Sequence, residues 1–378
     1  ISWNRTVAKM IKNNDVVSPH QLAMLIIMTV ISVGVFSLAA EITGKVGPDG
    51  WIVIALAGVI NIIAVVIIVR LNSRFPGKTF AEYSGEIIGV IPGKIVNTVF
   101  AVYLLLIIAY ETRAFTEVVK MFLLFRTPAE VIILSLILVC TYIVRGGAEC
   151  VARMNELIFP ILFIPFFIIL LFGLPLMEFS NLLPVLQTTP AKLLTAVPFT
   201  AFSFGGIELA LFYIGFMKEP KKAYKPAIIA VAFITFFFIM TTVFCLATFG
   251  VKTTPQIIWP LVNLIRAINL PGVFIERLDG IILPLWMTTV FTTMVSAYFI
   301  ISYSISRIVG TKEQKQYVLP LTALIYYLAL QPDSLAQLYE WGGRIFAVAV
   351  PLHLYILPVL MLIIAAIRKL GVYKNESK

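Results

Sequence analysis

Two short glycine-bearing stretches and a handful of acids are the residues in this chain whose types and spacing could do chemistry. Ser203-Phe204-Gly205-Gly206 is followed by Glu208, and Ser32-Val33-Gly34 echoes it 171 positions earlier. Glycine tolerates torsions that interrupt a helix and leaves room for a ligand beside the backbone. An interrupted helix exposes amide donors where one half begins and carbonyl acceptors where the other half ends. Those ends suit a carboxylate and an ammonium group, respectively. A zwitterionic amino acid carries both, so Ser32, Gly34, Ser203, Gly205 and Gly206 are read as candidate ligand-binding residues. For one glycine pair alone, close helix packing stays open as the alternative. The matched Gly34 favours the break.

Glu208 lies three residues after Gly205, a turn beyond the proposed break. A carboxylate within a membrane span is costly unless it faces a cavity, meets a cation or is protonated. Glu111 and Arg113, in Ala109-Tyr110-Glu111-Thr112-Arg113, are the other deep charges. Two apart on a helix, they point to different sides, so each is expected to find a partner elsewhere or water. Glu111 and Glu208 are therefore assigned to an ion path or to gating. Tyr103 and Tyr110 accompany Glu111, and Thr288, Thr292 and Ser296 form an i, i+4 face with Thr289 and Thr293 beside it. Their hydroxyls could bond a ligand or an ion, or simply the preceding turn of their own helix. His20 and His353 are far apart and read as structural or interfacial. Cys140, Cys150 and Cys245 are an odd set that argues against a disulfide framework. No catalytic constellation, phosphate loop or metal motif appears, so neither an enzyme nor a cofactor is expected.

The elements that must hold these residues are membrane helices. With 60% hydrophobic and 13% charged residues and a mean hydropathy of +0.99, the 378-residue chain is too apolar for a soluble core. Crossing the hydrocarbon takes about 20 mostly apolar residues as a helix. Ten such stretches are expected: 20–41, 51–71, 94–118, 129–145, 155–177, 194–217, 225–250, 275–307, 317–331 and 343–368.

Cytoplasmic loops are enriched in Lys and Arg. With the N-terminus inside, 20 of the 29 basic residues fall in cytoplasmic segments, 8 fall outside and Arg113 lies within a span. Both termini are therefore expected in the cytoplasm. The net charge of +10 follows from the same bias and calls for no nucleic-acid partner. The segment before the first span lacks the apolar core of a signal peptide, and the residues before Met10 read as a leader upstream of the natural start.

The echoes keep their order. Ile91-Pro92-Gly93 after the second span is matched 179 positions later by Leu270-Pro271-Gly272 after the seventh. Amphipathic stretches at 79–93 and 254–272 occupy corresponding places, each expected in the membrane interface. Five spans is an odd number, so the two halves must enter the membrane in opposite senses. The expected fold is all-α, with ten transmembrane helices in a 5+5 inverted repeat and broken first and sixth helices. Its parts are a cytoplasmic segment 1–19, a first repeat 20–177, a connecting loop 178–193, a second repeat 194–368 and a cytoplasmic tail 369–378.

At this point the sequence resembles a known family. "VSPHQLAMLI" (17–26), "FPGKTFAEYSGEIIG" (75–89), "GGAECVARMNELIFPI" (146–161), "FTAFSFGGIEL" (199–209) and "FIERLDGIILPLWM" (274–287) are similar, in the same order, to signatures of the B subunit of GerA-type spore germinant receptors. These are the endospore germination permeases of the amino acid/polyamine/organocation superfamily. The likeness runs from Met10 along nearly the whole chain and departs from the family in the nine residues before it.

The resemblance implies a ten-helix fold, assembly with A and C subunits in the inner membrane of a bacterial endospore, and a small germinant, often an amino acid, that triggers release of monovalent cations. It also implies Gly34, Gly205 and Gly206 as the helix breaks and Tyr103, Glu111, Glu208 and Thr292 or Thr293 as cavity residues. Two other readings compete: a proton- or sodium-coupled amino acid symporter using the same site, and a ligand-free membrane scaffold.

Overall fold

The computed structural model describes residues 15–268, 279–311 and 313–371, with the side chains of 279–283 excepted. The described residues are helical, with no β-strand among them. Arg5, Lys9, Lys12, Leu270-Pro271-Gly272, Lys312, Lys374 and Lys378, and the start of the eighth expected span, lie outside them.

Ser18 starts α1 (Pro19–Val30) with a capping box to Gln21 and a proline in the first turn, a strong helix-start signal. The chain leaves the helix at Ile31 and resumes as α2 (Gly34–Val46). A short turn at Gly47–Asp49 leads into α3 (Gly50–Asn72). Thr79 and Glu82 cap α4 (Phe80–Ile88), and Gly89 at φ +98° turns the chain into α5 (Val90–Phe122). At 1.5 Å per residue, α5 is roughly 50 Å long, more than the hydrocarbon layer requires. Then come α6 (Ala129–Val144) and α7 (Ala148–Gly173).

Further along come α8 (Pro190–Ala196), single turns through Gly205-Gly206, and the one-turn α9 (Ala210–Tyr213). The chain continues with α10 (Tyr224–Thr253), α11 (Pro260–Ala267), α12 (Asp279–Val309), α13 (Lys315–Ala329) and α14 (Leu335–Pro351). A π-turn, Leu352–Ile356, joins α14 to α15 (Leu357–Ile367).

Six helical stretches, 34–72, 90–122, 148–176, 220–256, 284–309 and 335–367, are long and apolar enough to cross a membrane. The chain is a multi-pass membrane protein. The remaining expected spans coincide with short or interrupted helices: α1 with its break, α6, the fragmented 194–217 region and α13.

α1 is apolar on every side, as a helix buried within a bundle must be. It packs against α7, α10 and α12, with Leu22, Leu25, Ile26 and Met28 fully enclosed. α4 turns its apolar residues inward, Phe80 against Phe100 and Phe212 at ring separations of 5.8 and 5.6 Å. Its Glu82 reaches α12, 3.1 Å from Arg307 Nε and 3.2 Å from Tyr303 Oη, the latter donating to Glu82 Oε1.

One buried acid ties down the 186–188 part of the 178–193 connection, whose start is bonded to Ala247 O through Glu178 N and Asn181 Nδ2. Leu186 N donates to Asp49 Oδ1 at 2.6 Å and Thr188 N to Oδ2 at 2.9 Å, while Thr188 Oγ1 donates to Val46 O at 3.0 Å. Bonds to a charged acceptor contribute about 1.5–3 kcal/mol each. Asp49→Ala will lower the thermal stability of the detergent-purified protein and open the 183–188 segment to proteolysis. Unchanged melting and unchanged cleavage would show that this tie does not hold the loop.

Candidate functional site

The first break lies between α1 and α2. A helix end leaves carbonyls, and a helix start leaves amides, without partners in the helix. At the α2 start, Ser32 Oγ donates to Glu111 Oε2 at 2.5 Å, and the Val33 amide points at the same carboxylate. At the α1 end, hydroxyls of α12 reach the freed carbonyls. Thr292 Oγ1 lies 3.1 Å from Met28 O, and Thr293 Oγ1 lies 3.0 Å from Thr29 O and 3.3 Å from Met28 O. Each also reaches Thr289 O of its own helix, so its single proton is shared between the two destinations.

The second break repeats the pattern. Gly206 has φ +111°, a region open to glycine and strained for other residues. Its amide donates to Glu208 Oε2 at 2.9 Å, and Tyr103 Oη donates to Glu208 Oε1 at 2.7 Å. Glu111 and Glu208 are 4% and 0% exposed.

The two breaks touch. A Cβ on Gly34 would come 3.0 Å from Ser203 Cα, and Ser203 Oγ donates to Gly34 O at 3.4 Å. A Cβ on Gly206 would sit 3.1 Å from Thr29 O. The echoing tripeptides are thus neighbours in space, and α5 serves both: Glu111 at one break, Tyr103 at the other.

Ser32, Gly34, Glu111, Gly205, Gly206, Glu208 and Thr293 line one cavity of about 30 Å³. A water needs at least 10–15 Å³ by this measure, so the space is far smaller than an amino acid. Ser203, Tyr103 and Thr292 stand behind its wall, each bonded to a group at one of the breaks. No Lys, Arg or His is among the cavity's lining residues, and its two charged residues are both acids.

Several sequence expectations need correction. The amides expected to greet a ligand carboxylate already serve Glu111 and Glu208. One expectation needs none: Arg113, expected to find a partner other than Glu111, pairs with Glu117 at 2.9 Å, one turn along the same helix. The Thr288, Thr292, Ser296 face does not act as a unit: Thr288 bonds Leu285 O behind it, and Ser296 Oγ accepts from Asn155 Nδ2 at 3.3 Å, on α7. The hydroxyls that reach the break are Thr292, on that face, and Thr293, beside it.

Thr29, Phe202 and Val350 were missed, while His353 was read only as structural or interfacial. Thr29 supplies a freed carbonyl, and Phe202 and Val350 line the cavity. His353 is buried, stacked on Tyr103 with ring centroids 4.1 Å apart and planes 4° from parallel, and its Nδ1 is bonded to Ala349 O at 2.7 Å. It sits in the π-turn. A signal was available: Pro351 and Pro358 bracket this turn, and neither can donate a helical N–H. His20 instead lies at the surface, 3.0 Å from Glu156.

Residues 16–337 match the spore permease family, described as "Spore germination protein". The spore germination protein YndE of Bacillus subtilis (strain 168) is 33% identical over 359 residues, covering 94% of this chain and 98% of its own length. Spore germination protein B2 of the same organism is 28% identical over 342 residues, 89% of this chain and 93% of its own.

Among solved structures, Mhp1, a nucleobase-cation-symport-1 family transporter in a closed conformation with bromovinylhydantoin bound, superposes with a TM-score of 0.67 at 14% identity, covering 91% of this chain and 77% of that one. MhsT in complex with L-phenylalanine gives a TM-score of 0.65 at 13% identity, covering 93% and 98%. At such identities the likeness is one of fold: the helices are arranged as in these transporters. With a family match over most of its length and a transporter fold beneath it, the chain belongs to the spore permease family of spore germination proteins.

Proposed function

We propose that this chain is the germinant-sensing membrane subunit of a spore germination receptor, binding a small germinant of the amino acid class at the paired helix breaks and answering with release of monovalent cations. The observation that carries the reading is the pair of buried carboxylates, Glu111 and Glu208, each holding the start of one half-helix around one small cavity. In this reading the cavity, acidic and without a basic residue in its lining, takes the ammonium end of the ligand. The ligand's carboxylate must then displace Glu208 from the Gly206 amide, or Glu111 from Ser32, to reach a donor. A ligand shifts a conformational equilibrium only through its differential affinity for the two states. Displacement of an internal carboxylate supplies that difference, because the bonded amide is available only once the break has moved.

The proposal carries the wider arrangement with it: ten transmembrane helices in a 5+5 inverted repeat, the halves meeting at 178–193, and both termini in the cytoplasm. It places the chain in the spore inner membrane beside A and C subunits. Glu111 and Glu208 serve the ion path or its gate; Ser32, Gly34, Tyr103, Ser203, Gly205, Gly206, Thr292 and Thr293 form the ligand site and its wall.

Receptor and symporter would use the same site and differ in whether the ligand crosses. In liposomes holding the purified complex of A, B and C subunits, added germinant will open a cation flux without accumulating inside. Accumulation of labelled germinant against its gradient, driven by an imposed proton or sodium gradient, would replace the receptor reading with a coupled symporter.

A further inference from the structure

A second cavity, about 290 Å³, adjoins the small one and has no part in the reading above. The two share one residue, Phe202. The larger opens toward the side of the bundle where α2 ends, lined by Ser37 and Glu41 of α2, Tyr110 of α5, Phe199 and Phe202, and Tyr339, Gly342, Gly343 and Phe346 of α14. Its floor is aromatic. Tyr110, Phe202 and Phe346 pack on one another, Phe202 and Phe346 stacked at 5.4 Å and Tyr110 edge-on to both at 5.5 and 5.2 Å. These rings separate the vestibule from the cavity at the breaks.

The chemistry of the vestibule is that of a site for an organic cation. Glu41 is its one acidic lining residue, and no Lys or Arg among the described residues forms an ion pair with it. Lys45, one turn further along α2, instead lays its ammonium over the Phe199 ring, 4.2 Å from the centroid. An ammonium of the chain therefore already rests on an aromatic face at this rim. The Tyr339 hydroxyl accepts from Trp259 Nε1 at 2.7 Å, which leaves its own proton to donate. A carboxylate facing aromatic rings recognises ammonium groups by charge and by the ring quadrupole together. The cavity is also far larger than one water, the scale of a bare inorganic cation.

We propose that this vestibule is a second binding site, taking the ammonium group of a small organic cation on Glu41 and the surrounding rings, with Phe202 as the partition between it and the site at the breaks. Under the orientation proposed above it faces the outside, so a ligand meets it first. Its existence does not depend on the function assigned to the inner cavity.

The test uses the full-length chain in lipid nanodiscs with Cys150→Ser, which removes the half-buried cysteine and leaves the buried Cys140 and Cys245. Gly343→Cys then places a thiol in the vestibule, at a position where a Cβ meets nothing within 4 Å. Ala347→Cys, another lining position, serves if that variant does not fold.

Tetramethylammonium is expected to slow labelling by an anionic maleimide about tenfold, equivalent to about 1.4 kcal/mol of protection. Potassium at equal ionic strength and tert-butanol, a neutral shape mimic, will not. Glu41→Gln will abolish the protection while keeping the unprotected labelling rate, which confirms an intact vestibule. Gly34→Val, directed at the inner site, will leave the protection in place even if the germinant response is lost. Equal protection by potassium or tert-butanol, or protection that survives Glu41→Gln, would overturn the proposal.

Discussion

Replacing Gly206 with valine will abolish ligand-triggered ion release at every ligand concentration while the chain still accumulates in the membrane. A left-handed torsion costs a non-glycine residue about 1–2 kcal/mol, and a β-branched residue tolerates it worst. The added Cβ would lie 3.1 Å from Thr29 O, the carbonyl that receives the Thr293 hydroxyl. Overpacking of this kind costs about 1–3 kcal/mol more. The strain can be relieved only by moving the second break away from the first, which breaks the contact on which the closed state rests. Gly34→Ala is the graded companion, because its methyl meets Ser203 Cα at 3.0 Å without a torsional penalty. It should shift the ligand concentration for half-maximal release without removing the response. Wild-type release in the Gly206→Val variant, with normal protein levels, would place the ligand site elsewhere.

Glu208→Gln will slow ion release at saturating ligand by about tenfold or more, the equivalent of 1.4 kcal/mol or above, with a smaller change in ligand affinity. The carboxylate accepts from Tyr103 and from the Gly206 amide at once. An amide side chain keeps one acceptor oxygen and turns a donor toward the other partner. An amide can neither exchange a proton nor trade both partners as the half-helices move, so the loss falls on the gating step more than on ligand binding. Binding is measured by calorimetry on the purified complex and release by potassium efflux from spores. A variant that binds tenfold more weakly but releases ions normally once saturated would make Glu208 a ligand contact and remove it from gating.

Much of this arrangement is legible in the sequence because it is written in residue types that a membrane tolerates badly. Glycine pairs and lone acids within apolar runs have few structural uses there, so Gly34, Gly205, Gly206, Glu111 and Glu208 stood out, and the cavity gathers all five. The i, i+4 reading of the α12 hydroxyls was met only at Thr292, with Thr293 beside it, because periodicity names a face without saying which neighbour it meets. The face at 288, 292 and 296 splits between α12's own backbone and α7, and the contact with the broken helix falls to 292 and 293.

Arg113, expected to find a partner other than Glu111, has one in Glu117, an ordinary i, i+4 neighbour. His353 was hidden by register. An α-helical count gives no hint that its ring faces Tyr103, since the π-turn adds a residue that shifts everything before it. The prediction that breaks present free donors also failed. Sequence shows where amides lose their helical partners but not that the chain's own carboxylates fill the vacancy.

The pairing of each buried acid has a consequence for how the chain is made. Ribosomes deliver the polypeptide N-terminus first, and domains form in that order. Ser32 is synthesised well before Glu111, and Tyr103 well before Glu208. Each costly carboxylate therefore arrives at the bilayer after the hydroxyl that will hold it, and neither has to wait in lipid for a donor still inside the ribosome. A rearranged gene that placed 194–368 ahead of 20–177 would disturb the ties of the connecting segment to Asp49 and would insert Glu208 with no tyrosine to receive it. The order of the two halves along the chain thus protects a step of biogenesis that the folded molecule no longer displays.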